Sequence, residues 1–330
     1  MDNKVLLAVY GVTITSGSDT QIPSDFGGSV DLLKLFHKFA DFVFVNVQKL
    51  EQENRNSYAL TCSAPPRIVI EDRESYGFFK AGRDGEAFTV AKFNAAKPEV
   101  KPESIDVTRD SHIIRDAFFY MQVPGRQKKA YLVLQRSHSQ GIKGLVNRLF
   151  QKFMAAEGLQ KYRMNLENLV DDKVFVHMLD NGHLKEITVI KNRIPLNIKE
   201  VHSKDDGVLM GEGTVKAVYQ APDLSPTWRE WSLDLMSGKR KMNAVDGDPR
   251  VRIELGGVTE YVNEVSFRVE LKQKQKTFHL VNSERTQPDI DVTENVRLGA
   301  DGKYIMEDLL MQARELINDV NLRLNEDDTL

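Results

Sequence analysis

Apolar residues recur at helical spacing most regularly between residues 141 and 157, in the middle of the chain. Spaced three and four positions apart, they form one stripe that an amphipathic helix buries. The stripe consists of Ile142, Leu145, Val146, Leu149, Phe150, Phe153 and Met154. The opposite face carries Lys143, Asn147, Arg148, Gln151 and Lys152. The pattern therefore predicts a packed helix with a polar and largely basic outer surface.

Two further helices are predicted from the same spacing. One follows Ser29, a favourable N-cap residue, and the other covers about residues 303–324 near the end of the chain. The apolar stripe of the terminal helix indicates either core packing or a dimer interface.

Short runs of β-branched and aromatic residues predict strands between these helices. The main runs are residues 5–15, 42–47, 58–63, 67–71, 76–81, 87–93, 117–121, 131–134, 173–178, 184–190, 213–220, 250–255, 261–271 and 277–281. Asp180-Asn181-Gly182 is typical of a tight turn between two antiparallel strands. The fold class expected is α+β: a largely antiparallel sheet with a packed amphipathic helix, plus a second α+β part ending in a long C-terminal helix.

The length of 330 residues exceeds the usual limit of one hydrophobic core, so two domains are expected. Pro195 marks a boundary, and we place the division near residues 198–201. The N-terminal α+β domain then covers residues 1–198 and carries the basic helix. The C-terminal α+β domain covers residues 199–330, and its terminal helix is a candidate for dimerisation.

Composition favours a soluble cytoplasmic protein. An apolar content of 41% and a charged content of 28% are ordinary for a folded domain. No apolar run approaches the ~20 residues that span a bilayer, and the first residues do not resemble a signal peptide. The single cysteine, Cys62, excludes an internal disulfide and fits a reducing compartment; we interpret it as a small buried side chain rather than a nucleophile.

Charge is distributed unevenly along the chain. Between Met121 and Arg163 nine basic residues and one acid give +8, in a protein whose formal total is -3. Between Val281 and Leu330 twelve acids and five bases give -7. This asymmetry indicates a basic binding face and an acidic end that is either solvated or docked on the protein itself.

A duplex DNA backbone is the partner that this charge pattern favours, because each neutralised phosphate releases a counterion. The start of the helix at Gly141 can add backbone donors, and Ser137 and His138 precede it. Engagement of six to eight cations predicts a log-log salt slope of roughly -5 to -7. The predicted DNA-binding residues are Arg126, Lys128, Lys129, Arg136, Ser139, Lys143, Arg148 and Lys152.

Two alternatives stay open beside DNA binding. A metal-dependent nuclease needs two acids for Mg²⁺ and a nearby lysine, and Glu270-Leu271-Lys272 has that spacing, with Asp248 or Glu254 as the earlier acid. A protein-interaction module would use the basic face for an acidic partner. We expect no cofactor, since Gly211-Glu212-Gly213 lacks the remainder of a nucleotide-binding loop.

Several local patterns resemble the family of the Rex exclusion protein A of phage lambda and related prophage proteins. The likeness covers about half of the chain: residues 117–120, the basic turn, residues 131–134, the helix after Gly141, residues 171–178, Arg193-Ile194-Pro195 and the C-terminal helix. The chain also resembles the DNA-binding component of the Kiwa anti-phage system in size and in its general sequence pattern. The resemblance implies a dimeric DNA-binding protein of phage exclusion or antiviral defence that acts with a membrane effector protein. We expect the chain to have no catalytic activity of its own.

Overall fold

The structure of the protein is a computed structural model that describes residues 4–51, 57–62, 64–84, 88–92, 103–108, 112–136, 142–169, 178–191, 215–220, 230, 232, 243–244, 251–255, 258–279 and 289–327. The chain divides into two compact units. Unit 1 contains residues 1–167 together with 296–330, and unit 2 contains residues 168–295. Both units combine antiparallel strands with helix, so the expected α+β class is confirmed.

The elements of unit 1 are β1 (Leu6–Ser16), β2 (Asp19–Gln21), α1 (Leu32–Val45), β3 (Gln48–Glu51), β4 (Ser57–Cys62), β5 (Arg67–Val69), β6 (Glu74–Asp84), β7 (Phe88–Lys92), β8 (Glu103–Val107), β9 (His112–Gln122), β10 (Ala130–Arg136), α2 (Lys143–Ala156), β11 (Tyr162–Asn168) and α3 (Met306–Asp327). Its main sheet has the strand order β1-β10-β9-β6-β4-β3, with antiparallel neighbours. In addition β2 and β11 pair with β1, and β5 pairs with β6. A separate hairpin joins β7 to β8.

Both faces of this sheet are covered, which explains the continuous apolar runs in the sequence. Alternate residues of the strands, among them Leu132 and Phe119, belong to one core cluster with α1 and α2. The opposite face meets α3, which packs on β1 and β9. As a result Phe118, Phe119 and Tyr120 are all fully buried, although they point alternately to the two faces.

Phenylalanine rings fill the space between the sheet and the two N-terminal helices. The ring of Phe36 lies 5.5 Å from that of Phe150 and 5.7 Å from that of Phe119. Phe79 stacks on Phe119 across the neighbouring strands at 4.2 Å. Each fully buried ring contributes roughly 1.5–3 kcal/mol through removal of its apolar surface from water. This packing holds α2 in place against the sheet.

The run at residues 42–47, expected to be a strand, is helical instead. Helix α1 continues to Val45, and Asn46 caps it by donating its backbone N–H to Phe42 O. The helix begins one residue after Asp31, whose carboxylate accepts the backbone N–H of Leu33 at 3.0 Å, so Asp31 rather than Ser29 is the N-cap. Tertiary packing decides the outcome, because Phe42 reaches the ring of Phe153 on α2 at 5.5 Å.

The division of the chain differs from the expected boundary between residues 198 and 199. The terminal helix α3 belongs to unit 1, where it packs on β1 and β9, two strands from much earlier in the chain. Its apolar stripe, Leu309, Ala313, Leu316 and Ile317, is at most 3% exposed within the chain. These four residues are therefore part of the core of unit 1, Leu310 beside them is half-buried, and dimerisation stays a prediction.

Unit 2 contains β12 (His183–Lys191), β13 (Val215–Gln220), β14 (Asn243–Ala244), β15 (Val251–Leu255), β16 (Val258–Val262), β17 (Glu264–Leu271), β18 (Lys274–His279), β19 (Asp289–Asp291) and the 3₁₀ turn Thr293–Asn295. The first sheet has the order β13-β12-β17-β18-β19 and the second β14-β15-β16. Residues 180–182 do not form the expected tight turn, because residues 178–181 are helical and Gly182 leads into β12. Strand β12 pairs with β13 and β17. The strand expected at 173–178 lies mostly outside the described residues.

Candidate nucleic-acid interface

The polar side of α2 has two stripes that differ in exposure. In an α-helix, residues four apart lie on one line along the surface. One line carries Arg148 and Lys152, both exposed. The neighbouring line carries Lys143, Asn147 and Gln151, all half-buried. Of the two lines, the first carries the cations that are exposed.

Lys143 is directed at the sheet rather than at solvent. Its Nζ lies 4.6 Å from the centroid of the Tyr10 ring, a cation–π contact. Partial burial lowers the pKa of Lys143 below its ordinary value. The sequence predicts Lys143 on one phosphate-binding face with Arg148 and Lys152, whereas its Nζ lies over the Tyr10 ring of β1.

Gln151 joins α2 to the strand that follows it. Its Nε2 donates to the carbonyl oxygen of Tyr162 at 2.7 Å, and its Oε1 accepts the backbone N–H of Met164 at 3.2 Å. These two bonds lie on either side of Arg163, which is exposed while Tyr162 and Met164 are buried. Helix α2 with Lys152 is thereby fixed against the strand with Arg163.

Lys161 precedes this strand and is exposed, with its Nζ 4.9 Å from the centroid of the Tyr162 ring. We call Arg148, Lys152, Lys161 and Arg163 the α2–β11 cation group. Among the residues that the structure describes, none of the four forms an ion pair with a carboxylate.

The nearest acids in the sequence are occupied by other lysines. Glu157 accepts a bond from Lys38 of α1. Glu167 at the end of β11 lies 3.5 Å from Lys129 Nζ. Glu157 is the single acid of the basic stretch, so its pairing leaves the α2–β11 cation group with an uncompensated positive charge.

The other predicted cations do not lie together with this group. Arg126, Lys128 and Lys129 are in the turn between β9 and β10, where the Arg126 N–H donates to Ser24 Oγ at 3.2 Å. Strand β10 begins at Ala130, next to this turn, and ends at Arg136. At about 3.3 Å per residue, its two ends are roughly 20 Å apart. The eight predicted residues are thus divided among several places, and Ser139, like Ser137 and His138, lies outside the described residues.

The residues considered for a nuclease site do not form a Glu-x-Lys pair on one strand face. Strand β17 ends at Leu271, and Lys272 has a φ of 51° in the turn that follows. The Glu270 carboxylate lies 3.5 Å from Lys185 Nζ and accepts the amide of Gln275 at 3.1 Å. Glu254 is on β15, and Asp248 is outside the described residues.

Within the described ranges, no three His, Cys, Asp or Glu side chains are grouped as metal ligands. Cys62 is also unsuited to nucleophilic chemistry, because its Sγ donates to Ala40 O and burial raises its pKa to about 12.

Lys161 and Arg163 belong to the basic stretch of the sequence but are absent from the eight predicted DNA-binding residues. The alternation in residues 162–165 contains the signal, since buried Tyr162 and Met164 leave Arg163 outward. The role of Gln151 has no sequence signature, because its partners are backbone atoms eleven and thirteen positions away.

No family model matches the chain. A search of curated proteins gives no match either. The fold and site define an α+β protein with an exposed basic surface, and the resemblance to phage exclusion proteins stays a prediction. No helix in the described part of the chain has the length and apolarity needed to cross a membrane.

Proposed function

We propose that this protein binds duplex DNA through the phosphate backbone and that the α2–β11 cation group makes the main contacts. The single observation that carries the proposal is the Gln151 bridge, which holds a basic helix against a basic strand edge. Phosphate contacts need cations that stay exposed and free of internal carboxylates. Arg148, Lys152, Lys161 and Arg163 satisfy both conditions among the described residues.

The number of engaged cations sets the salt dependence. Four cations on B-DNA give a log-log salt slope of roughly -3 to -4. This is shallower than the slope of roughly -5 to -7 expected when six to eight cations engage phosphate. A slope in this range, equal for unrelated DNA sequences, is expected from backbone contacts. Base-edge contacts would add a sequence preference at constant salt.

The test compares the wild-type protein with Arg148→Glu/Lys152→Glu in a fluorescence-anisotropy titration of a labelled duplex at several salt concentrations. Two reversed charges remove two attractive contacts and add repulsion, so we expect affinity to fall by about a hundredfold or more at low salt. The matched control is Arg67→Glu/Lys216→Glu, which makes the same charge change at two exposed strand residues.

If the wild type and Arg148→Glu/Lys152→Glu bind the duplex with equal affinity and unfold at the same temperature, this surface does not contact DNA. Weak binding of duplex by the wild type, combined with retention of an acidic protein from nuclease-treated lysate, favours the interaction-module alternative. The nuclease alternative has no observation in its favour among the described residues, and a Mg²⁺-dependent plasmid digestion tests it directly.

The wider setting of the proposal is a cytoplasmic protein of phage exclusion that forms a homodimer and acts with a membrane effector protein. The single, buried Cys62 supports a reducing compartment. The remaining parts rest on the sequence resemblance alone.

A further inference from the structure

A cavity of about 720 Å³ lies in unit 1, away from the α2–β11 cation group. Residues between 299 and 307, before and at the start of α3, line it together with Lys4 and residues of β6, β9 and β10. Its volume falls within the about 300–1,000 Å³ typical of small-molecule sites.

The loop on one side of the cavity is well defined by hydrogen bonds. Gly299 N–H donates to Lys303 O at 2.7 Å, and Ile305 N–H donates to Arg297 O at 3.0 Å. Gly302 turns the chain with a φ of 76°, a conformation that glycine adopts at no steric cost. Arg297 then anchors the loop to the first turn of α3 through the carboxylate of Asp308 at 2.8 Å. A ligand would therefore meet a preformed wall.

Four cations from separate segments line the cavity together with three carboxylates, which leaves a formal net charge of +1. Lys4 lies two residues before β1, Arg115 is on β9, Arg136 ends β10 and Lys303 is in the loop. No local sequence pattern unites them, because 299 positions separate the first from the last. Lys303 Nζ lies 3.7 Å from Asp116 Oδ2, a partly solvated pair that an anionic ligand can replace.

The cavity also offers aromatic and acceptor groups. Phe78 and Tyr304 are both half-buried, and burial raises the pKa of the Tyr304 phenol, which keeps it neutral. Asp301 and Glu307 are exposed acceptors at the rim. Cations suit a phosphate, ring faces suit a base, and carboxylates accept hydrogen bonds from sugar hydroxyls or base amino groups.

We propose that this cavity binds a nucleoside phosphate, with the phosphates at Arg115, Arg136 and Lys303 and the base near Tyr304. The site is independent of the DNA-binding surface, because none of its lining residues belongs to the α2–β11 cation group. Inorganic phosphate satisfies only the cations, and a nucleoside satisfies only the rings and acceptors, so both parts are required for full affinity.

The test is isothermal titration calorimetry of the full-length protein with ADP, inorganic phosphate and adenosine as separate probes. We expect ADP to bind at least about tenfold more tightly than phosphate or adenosine. Arg115→Glu weakens ADP binding by at least about tenfold through loss of a charge-assisted contact. Tyr304→Leu weakens ADP binding but leaves phosphate binding unchanged. Arg67→Glu, an exposed arginine outside the cavity, is the matched control with the same charge change.

Absence of ADP binding up to about 1 mM overturns the proposal, as does an equal affinity of the wild type and Arg115→Glu for ADP. Competition by phosphate as strong as that by ADP excludes a nucleoside-specific site. Thermal unfolding of each variant separates a local effect from loss of the fold. Arg148→Glu/Lys152→Glu retains ADP binding, so a failure here is distinct from a failure of the DNA proposal.

Discussion

Arg314 of α3 and Glu74 of β6, 240 positions apart, form a forked ion pair within unit 1. Arg314 Nε lies 3.0 Å from Glu74 Oε1, and its Nη2 lies 2.5 Å from Oε2. The phenol of Tyr120 donates to the same carboxylate at 2.5 Å. Glu74 is only 3% exposed, and these partners satisfy the hydrogen-bonding capacity of its buried carboxylate. The pair ties the terminal helix to the sheet.

Removal of the arginine should destabilise unit 1 strongly. Arg314→Met leaves the buried Glu74 carboxylate without its cation, and breaking such a pair costs about 3–5 kcal/mol. We expect about 3 kcal/mol, the lower end, because 41% of the Arg314 side chain is exposed. Urea denaturation followed by circular dichroism measures the change in the free energy of unfolding.

Asn318→Ala is the control for the arginine replacement. Asn318 lies on the exposed side of the same helix, so its change should stay within about 0.5 kcal/mol. The double variant Glu74→Gln/Arg314→Met should recover part of the loss, because it removes the uncompensated charge as well. Equal stability of Arg314→Met and wild type would show that the pair does not hold α3.

Asp308 makes stability depend on pH in the acid range. Side-chain and backbone hydrogen bonds from Arg297 lower the pKa of Asp308 to about 2. Since the folded pKa lies below the unfolded one, the contribution is present above the unfolded value of 3.8 and is lost as pH falls towards 2. The melting temperature of the wild type should therefore exceed that of Asp308→Asn at pH 5.

Thermal scans at intervals from pH 5 to pH 2 check this expectation. The difference in Tm between wild type and Asp308→Asn should shrink as the carboxylate is protonated. A difference that stays constant over this range would mean that the Arg297 contact does not shift the titration of Asp308.

The sequence was most informative about local secondary structure and least informative about where side chains point in the folded protein. Helix α2 was predicted within two residues of its observed start, because its apolar spacing is governed by one short-range rule. The charge count identifies the basic stretch but does not show which of its cations are exposed. Lys143 contacts the Tyr10 ring because the fold places β1 beside α2. The cavity and the Glu74–Arg314 pair join distant segments, and single-sequence patterns carry no signal for them.

Gly182 allows a close approach at the entry to β12. A Cβ at this position would lie 2.2 Å from the carbonyl oxygen of Glu270 and 2.5 Å from that of Met178. Both are backbone atoms and cannot rotate away, so Gly182→Ala should destabilise unit 2 by about 2 kcal/mol or more. Gly125→Ala is the control, because a Cβ there meets nothing within 4 Å. Similar urea midpoints for the two variants would contradict the close approach.

Two lysines of α2 provide the sharpest test of which helix face meets DNA. Lys152→Gln removes one exposed cation, so the log-log salt slope should become less steep by about 1. Lys143→Gln removes a cation that lies over the Tyr10 ring, and it should leave the slope within about 0.3 of the wild-type value. Salt-titrated anisotropy of one duplex measures both variants side by side. Equal slope changes for Lys143→Gln and Lys152→Gln would mean that the Tyr10 contact opens on binding and that both stripes face the phosphates.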